Sequence, residues 1–593
     1  MVAAHIGERR LLLVLDNAEH VVEGVREVAG LLRVCPHLQL LVTSRVVLLL
    51  EEEQEYPLAP LSLPRGGSLD EVAESEAVQL FVARARLVRP DFALTADNNG
   101  AVAEACRLLD GLPLAIRLAA ARTRLFSVAA LVDRLGDRSD LLTSTMRDAP
   151  ARHRTLRATI DWSYALLPDA ERRFFQEFAV FNGGARLESI EEVLAPADDV
   201  LSSVTALVNN SLLTRREDSD GQPRMRMLQT LRDYAAGLLA AVPSHHREVS
   251  ERHALHYLAL VQELLPLRRP ARRAEIERVR EEYGNVRAAL AFWLAPGRDP
   301  AGPANALRLA AAMGHYWYGH GMSVEGSAWL EQALARTSEP PPGAKALALL
   351  TLGMMSEQRE ELDRAMRLLG EARALYRQTG DRDGEARCLN GTGIVEDSIG
   401  RTAEAEQHLG EAVALFEELD DLAGRTDALD SLGTIYLHRG AWEKARDIFG
   451  DNLRRDRELG NDWGAACTAL NLSIACLLGG QDDDARPLIR DAMSGFLEWP
   501  DPNGVTETLE SALGFAVSKH RWTDAARLAG AADAARQTLG LRGSPPDRVR
   551  VETWEAEART QLHADDLATA RREGAAMTYH QAAGYALDRV LRT

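Results

Sequence analysis

The chain has 593 residues and a mass of 65.0 kDa, 46% apolar and 26% charged, which suits several globular domains with separate cores. A net charge of −19 and a pI near 5.4 oppose broad binding of the whole chain to nucleic acid or anionic membrane. No apolar run approaches the roughly 18 residues of a membrane span, and five scattered cysteines without a CxxC pair fit a reducing cytoplasm rather than a disulfide framework or zinc knuckle.

Leu11–Leu15 and Gln39–Thr43 are short apolar runs of the kind that form buried parallel strands, with an amphipathic helix between them over Val21–Leu32. Asp16 follows only five apolar residues, so the start does not read as a secretory signal. In LLLVLDNAEH (Leu11–His20) an apolar strand ends in an acid. P-loop ATPases present in this way the aspartate that holds Mg²⁺ through a water shell, which would make Asp16 the magnesium residue. Glu19 is then the candidate to orient an attacking water. A buried strand followed by an Asp/Asn helix cap reads equally well here.

The second strand, LLVTSR (Leu40–Arg45), ends in two hydroxyls and a guanidinium, a set suited to a terminal phosphate. A capped loop beside a surface arginine is its plain alternative. Tyr56–Pro60 and Pro64–Ser68 punctuate the end of this α/β piece. LDGLPLAIRLAAAR (Leu109–Arg122) then places proline near the first position of a helix. Helical segments run to about Leu142, and Pro150 marks a further boundary. Residues 146–245 mix helices with the polar turn Glu217–Gly221, the pattern of a small winged helix with that turn as its wing. Farther on, Arg268, Arg269, Arg272, Arg273, Arg278 and Arg280 alternate with Glu275, Glu277, Glu281 and Glu282, which reads as a solvated helix.

From about residue 345 the sequence repeats with a period of 40. Alanine recurs at Ala365, Ala405, Ala445, Ala485 and Ala525, and glycine at Gly384, Gly424, Gly464 and Gly504. A second glycine column holds Gly370, Gly410, Gly450 and Gly530. Ala365, Leu368, Leu369, Ala372, Leu375 and Tyr376 draw one apolar helix face. An earlier helix carries Leu349 with Gly353, and Gly400, Gly440 and Gly480 sit where a left-handed residue would close a helix. Each unit is therefore a helical hairpin, its small residues expected to allow close backbone approach, and the hairpins stack into a superhelix. A weaker copy near Gly314 and Trp329–Ala333 starts the stack near residue 301. Trp317, Trp442, Trp463 and Trp522 are expected in its core.

The repeats resemble the tetratricopeptide repeat in its longer form. The strand ending in Asp16, the Thr-Ser-Arg strand and Gly111-Leu112-Pro113, in this order and spacing, resemble the signal-transduction ATPases with numerous domains. That family includes the apoptotic (NB-ARC) ATPases, plant resistance proteins and large bacterial transcription regulators. His153–Gly184 and Arg224–Ala235 resemble the first and closing helices of its winged-helix module. The resemblance implies an ATP/ADP site with Mg²⁺ built from Asp16, Asn17, Thr43, Ser44, Arg45, Gly111, Leu112 and Pro113. Many relatives carry Met-His-Asp in the closing segment, its histidine on the diphosphate; the matching residues here are Met227, Leu228 and Gln229.

The largest departure is the P-loop. GxxxxGK[ST] should precede the first strand, yet only ten residues do, and the three lysines (Lys345, Lys444, Lys519) follow Ala344, Glu443 and Ser518. Losing several charge-assisted hydrogen bonds of roughly 1.5–3 kcal/mol each would push micromolar nucleotide binding to millimolar or worse, so no ATP hydrolysis is expected of the chain as written.

The fold expected is mainly α. Residues 1–60 form a truncated α/β half of a P-loop ATPase, 61–145 a helical lid, 146–245 a winged helix, 246–300 connecting helices and 301–593 a tetratricopeptide-like α-solenoid. The leading function is a cytoplasmic regulatory switch or scaffold of the transcription-regulator type. Its repeats would bind a protein or peptide partner or a small effector. No direct DNA binding and no membrane are expected, and an oligomer is compatible with the sequence. Two alternatives stay open: a nucleotide-independent repeat adaptor, and an active ATP-binding regulator whose P-loop is encoded upstream of Met1.

Overall fold

The computed structural model describes residues 6, 9–15, 18, 22–44, 47–48, 50, 53–56, 58–64, 68–124, 126–137, 160–161, 164–165, 167–194, 199–210, 212–266, 272–297, 301–499, 501–539 and 545–592. They fall into two compact units, residues 1–256 and 257–593. The fold is mainly helical, and no helix among the described residues is long and apolar enough to cross a membrane.

The first unit opens with β1 (Leu11–Leu15), α1 (Val22–Ala29) and β2 (Leu38–Val42). The strands pair in parallel with Leu13 opposite Leu40. Side chains alternate across a strand, so Leu13 and Leu15 turn to one face. There Leu13 packs on Ile6, Cys35 and Leu38, and Leu15 on Ala18, Val25 and Leu48. Leu12, Val14 and Leu41 are each more than half exposed. The expectation of buried strands is thus met on one face only.

Five helices follow: α2 (Leu69–Ala73), α3 (Glu76–Val88), α4 (Asn99–Leu108), α5 (Pro113–Ala121) and α6 (Val128–Asp137). Ser68 and Glu71 close a capping box at the start of α2. Phe81, Val102, Cys106, Ile116 and Leu131 are fully buried here.

A winged helix comes next, with α7 (Asp169–Phe178), β3 (Ala185–Arg186), α8 (Leu187–Leu194), α9 (Val200–Asn209), β4 (Thr214–Glu217), β5 (Pro223–Arg226) and α10 (Gln229–Ala240). The three strands lie in the order β3-β5-β4, all antiparallel. The polar turn foreseen as the wing joins β4 to β5. Buried Arg186 fixes it by binding Asp218 Oδ2 at 2.7 Å through Nε and Asp220 Oδ2 at 2.8 Å through Nη1. The division between the units falls inside α11 (Pro243–Leu264).

The second unit continues through α12 (Arg273–Trp293), α13 (Ala301–Ala312), α14 (Gly314–Gly319) and α15 (Ser323–Arg336). Five hairpins follow in strict register: α16 (Pro342–Gln358) with α17 (Leu362–Thr379), α18 (Arg382–Ser398) with α19 (Thr402–Glu418), α20 (Leu422–His438) with α21 (Trp442–Leu459), α22 (Asp462–Leu478) with α23 (Asp482–Glu498), and α24 (Pro502–Ser518) with α25 (Trp522–Leu539). The unit closes with α26 (Pro545–Gln561), α27 (Ala564–Ala575) and α28 (Tyr579–Tyr585). First helices of successive hairpins pack on one another more closely than second helices do, so the stack curves with its first helices inside.

The period of 40 has an atomic cause at each column. A Cβ on Gly384, Gly424 or Gly504 would come within 2.3, 2.5 or 2.4 Å of the ring of Tyr376, Phe416 or Phe496, which hold one column of the repeat in the preceding helix. At Gly464 the ring's place is taken by buried Asp456, which accepts from Asn461 Nδ2 at 2.8 Å and Thr468 Oγ1 at 2.9 Å. The turn glycines Gly400, Gly440 and Gly480 have φ of 81°, 74° and 73°. The second glycine column behaves otherwise than expected. Nothing lies within 4 Å of a Cβ placed on Gly370, Gly410 or Gly450, and only Gly530 meets backbone, the Arg571 carbonyl. Of the four tryptophans expected in the core, Trp317 is fully buried, whereas Trp442 is exposed and Trp463 and Trp522 are half-buried.

Candidate functional site

The residues singled out for a nucleotide separate into two places within the first unit. Asp16, Asn17, Glu19 and Arg45 lie outside the described residues. Thr43 prolongs the strand pairing: its N–H donates to the Leu15 carbonyl at 2.9 Å, and its own carbonyl accepts from Ala18 N–H at 2.9 Å. Ser44 follows at the exposed end of that strand.

Gly111, Leu112 and Pro113 serve a different junction. Gly111 has φ of +67°, and a Cβ there would stand 2.4 Å from the Leu61 carbonyl oxygen, so only glycine fits. Its carbonyl accepts from Leu61 N–H at 3.1 Å. Leu112 is the extended residue before α5, and Pro113 is its first residue, as the sequence suggested. Just before them, Asp110 (φ 52°) turns its carboxylate onto the start of α10, where Oδ2 accepts from Thr230 N–H at 2.9 Å and Thr230 Oγ1 at 3.2 Å. Burial raises the Asp110 pKa against the opposing pull of these bonds. A helix start attracts an anion, and here a protein carboxylate already occupies it. Leu228, at the position of the family's histidine, is the residue before α10 and offers no side-chain cap. These described residues do not fit a diphosphate at this helix start. No group of three or more His, Cys, Asp or Glu that could hold a metal occurs among the described residues.

The third helix of the winged-helix module, α9, reads VLSSVTALVN, without Lys or Arg. Arg224 spends its guanidinium inside the module, donating to the Gly184 carbonyl at 2.8 Å and reaching Asp218 at 3.5 Å.

The repeats hold a cavity of about 60 Å³ on their inner face. It is lined by His315 and Tyr318 of α14, Leu350, Thr351 and Met354 of α16, Arg387, Asn390 and Gly391 of α18, and Asp427 of α20. Arg387 is anchored by Asp383 (Nε–Oδ2 3.0 Å) and Asp421 (Nη2–Oδ2 3.0 Å), with its guanidinium over the Phe416 ring. Asn390 Oδ1 is buried without a hydrogen-bond partner. Burial pushes the Asp427 carboxyl up to about 7, against the pull of Arg387, although solvent still reaches it through the lumen. Desolvation and nearby Arg387 press the His315 pKa down to about 4, although solvent reaches this ring too through the lumen. None of these residues was singled out from the sequence. The signal was present in the period itself, because Arg387, Asp427, Cys467 and Glu507 form a column whose chemistry changes from one repeat to the next.

Comparison with known proteins follows the same division. Residues 167–240 match the winged helix-turn-helix domain model, and residues 345–418 match the tetratricopeptide repeat model. The chain contains a winged helix and, after it, tetratricopeptide-like repeats. It is 37% identical over 334 residues to a Mycobacterium tuberculosis protein named as an HTH-type transcriptional regulator, covering 56% of this chain and 36% of that one. It is 39% identical over 236 residues to an uncharacterized M. tuberculosis protein, covering 39% of this chain and 57% of that one. The chain thus spans between about a third and just over half of these relatives. Among solved structures it is similar to a Pyrococcus horikoshii signal-transduction ATPase with numerous domains that carries a tetratricopeptide repeat sensor. There the identity is 14% and the TM-score 0.41, over 99% of this chain and 84% of that one.

Proposed function

We propose that this winged-helix and repeat protein is the sensing part of a transcription-regulator-type switch, acting in the cytoplasm. In this reading an effector or protein partner binds the inner face of the repeats, and occupancy is relayed to the winged helix and the α/β segment before it. One observation carries it: a cavity on the inner helices with an amide, Asn390, whose buried oxygen has no partner. A buried acceptor without a bond costs roughly 1–3 kcal/mol, and a ligand that supplies the donor recovers it. Resemblance to the signal-transduction ATPases supports the switch. The protein carboxylate that already occupies the α10 start supports weak or absent ATP/ADP binding there. The α9 face without basic residues supports the absence of direct DNA binding.

The test is a thermal-shift screen of the full chain against short peptides and small metabolites, repeated with Asn390→Ala. A ligand at about 100 times its Kd raises stability by about 2.7 kcal/mol. Stabilisation that disappears in the variant supports the reading. A screen in which every hit acts equally on Asn390→Ala removes the inner-face site. Millimolar ATP is expected to leave the melting temperature unchanged, and ADP released on denaturation would contradict the weak-nucleotide reading.

A further inference from the structure

The inner-face cavity specifies more than the presence of a ligand. The Asp427 carboxylate takes no direct hydrogen bond or ion pair among the described residues, and its nearest cation is Arg387. Arg387 commits Nε and Nη2 to Asp383 and Asp421, so two carboxylates balance its charge while Nη1 remains for a guest. His315 is neutral. Three carboxylates thus share one guanidinium, and the one that faces the cavity without a bond is Asp427, while donors and a bare acceptor remain on Arg387 and Asn390. Arg387 and Asn390 stand one turn apart on α18, on the same face. Asp427 is the register equivalent of Arg387 on the next inner helix, and neighbouring helices pack roughly 8–10 Å apart. Leu350 and Met354 supply an apolar wall.

Resting on the sensing function proposed above, we infer that this cavity binds an ammonium group carried next to a carbonyl or carboxylate, as found in a free amino acid or at the N-terminus of a peptide. The ammonium sits against Asp427, and the adjacent oxygen accepts from Arg387 Nη1 and Asn390 Nδ2. Asn390 Oδ1 takes an N–H of the guest. The space admits such a head group and no more, so the rest of a longer ligand extends into the lumen of the superhelix.

Saturation-transfer NMR on the full chain tests this with three probes: trialanine, N-acetyl-trialanine and L-alanine. Trialanine is expected to receive saturation, and the acetylated peptide at least fivefold less. Asp427→Asn, a near-isosteric change, is expected to weaken trialanine about tenfold, the worth of one charge-assisted bond. Asp491→Asn on the outer helix α23 should leave it unchanged. Equal transfer to L-alanine and trialanine assigns the site to free amino acids, and transfer to trialanine alone assigns it to peptide termini. Equal transfer to the acetylated peptide, or transfer untouched by Asp427→Asn, overturns the inference. A ligand without an ammonium that stabilises the chain, but not Asn390→Ala, would overturn this inference and leave the sensing function standing.

Discussion

Asp110 Oδ2 accepts the backbone N–H of Thr230 at 2.9 Å, joining the turn after α4 to the first turn of α10, 120 residues later. The hydroxyl of Thr230 adds a second bond at 3.2 Å. A carboxylate that caps a helix start and spans two modules contributes both local and long-range stability. Asp110→Ala is expected to cost about 1–2 kcal/mol, through the exposed N–H and the strained φ of 52° that alanine tolerates poorly. Asp110→Asn keeps an acceptor and accepts the left-handed backbone, so it should lose less than half as much. Urea melts of the three proteins, with hydrogen exchange at Thr230–Asp233, check the difference. Equal losses would show that the bond does not hold the junction.

The two glycine columns of the repeat are expected to respond with opposite sign. A Cβ at Gly384 would press into the Tyr376 ring at 2.3 Å, whereas at Gly370 it meets nothing within 4 Å. Gly384→Ala should therefore cost roughly 1–3 kcal/mol by overpacking. Gly370→Ala, in the middle of α17, should gain about 0.5–1 kcal/mol from helix propensity. Thermal melts decide it, and a loss at Gly370 would mean that its column serves packing after all.

These columns show where the sequence was legible. Repetition exposes any contact that recurs, so Ala405, Gly424 and Gly440 revealed hairpins, their length and their left-handed turns before any coordinates. Repetition does not tell a glycine needed for packing from one merely tolerated, which is why Gly370 and Gly384 looked alike. Glu360 and His520 adopt φ of 59° and 56° in the same column as Gly400, Gly440 and Gly480, held there by the repeat geometry against their own preference. The candidate site was hidden for the converse reason. Arg387 and Asp427 occupy one column but differ in charge, and a search for sameness passes over a column whose function lies in its variation. Asp110 was invisible because its partner lies 120 residues away and neither residue belongs to a motif.

The inner face is expected to lose stability as pH rises. Burial alone would lower the pKa of His438, but Asp397 Oδ2 at 2.6 Å from Nδ1 and Asp547 at 3.7 Å from Nε2 outweigh it and raise the pKa to about 9. An unfolded histidine near 6.5 has lost its proton well before that, so the stabilisation is full below pH 6.5 and vanishes as pH passes 9. Glu357 acts in the same sense: burial raises its carboxyl to about 7, so ionisation between pH 4.5 and 7 burdens the folded state. Melting temperature should fall from pH 6 to pH 9.5, and His438→Gln should flatten the upper part of that fall by the equivalent of about 2–3 kcal/mol. Because Asp547 begins α26, limited proteolysis near that helix should quicken over the same pH range. An unchanged pH profile in the variant would show that the imidazole is not held protonated there.

The last expectation concerns the half-sheet of the first unit. β1 pairs with β2 and with no other strand among the described residues, and Leu12, Val14 and Leu41 are exposed on its open face. In a parallel pair only alternate amides of each strand reach the partner, so half of those in β1 lack a ladder bond. A two-stranded parallel sheet is marginal by itself, and an unpaired apolar edge invites association. Protection against exchange follows the free energy of local opening. Amides of Leu12–Leu15 and Leu40–Thr43 should thus exchange faster than those around Ala405, which is fully buried between stacked hairpins. Leu12→Thr with Val14→Thr should leave global unfolding within about 0.5 kcal/mol, as for exposed sites, while lowering self-association measured by light scattering. Protection equal to that at Ala405 would mean that a further strand or a partner chain completes the sheet.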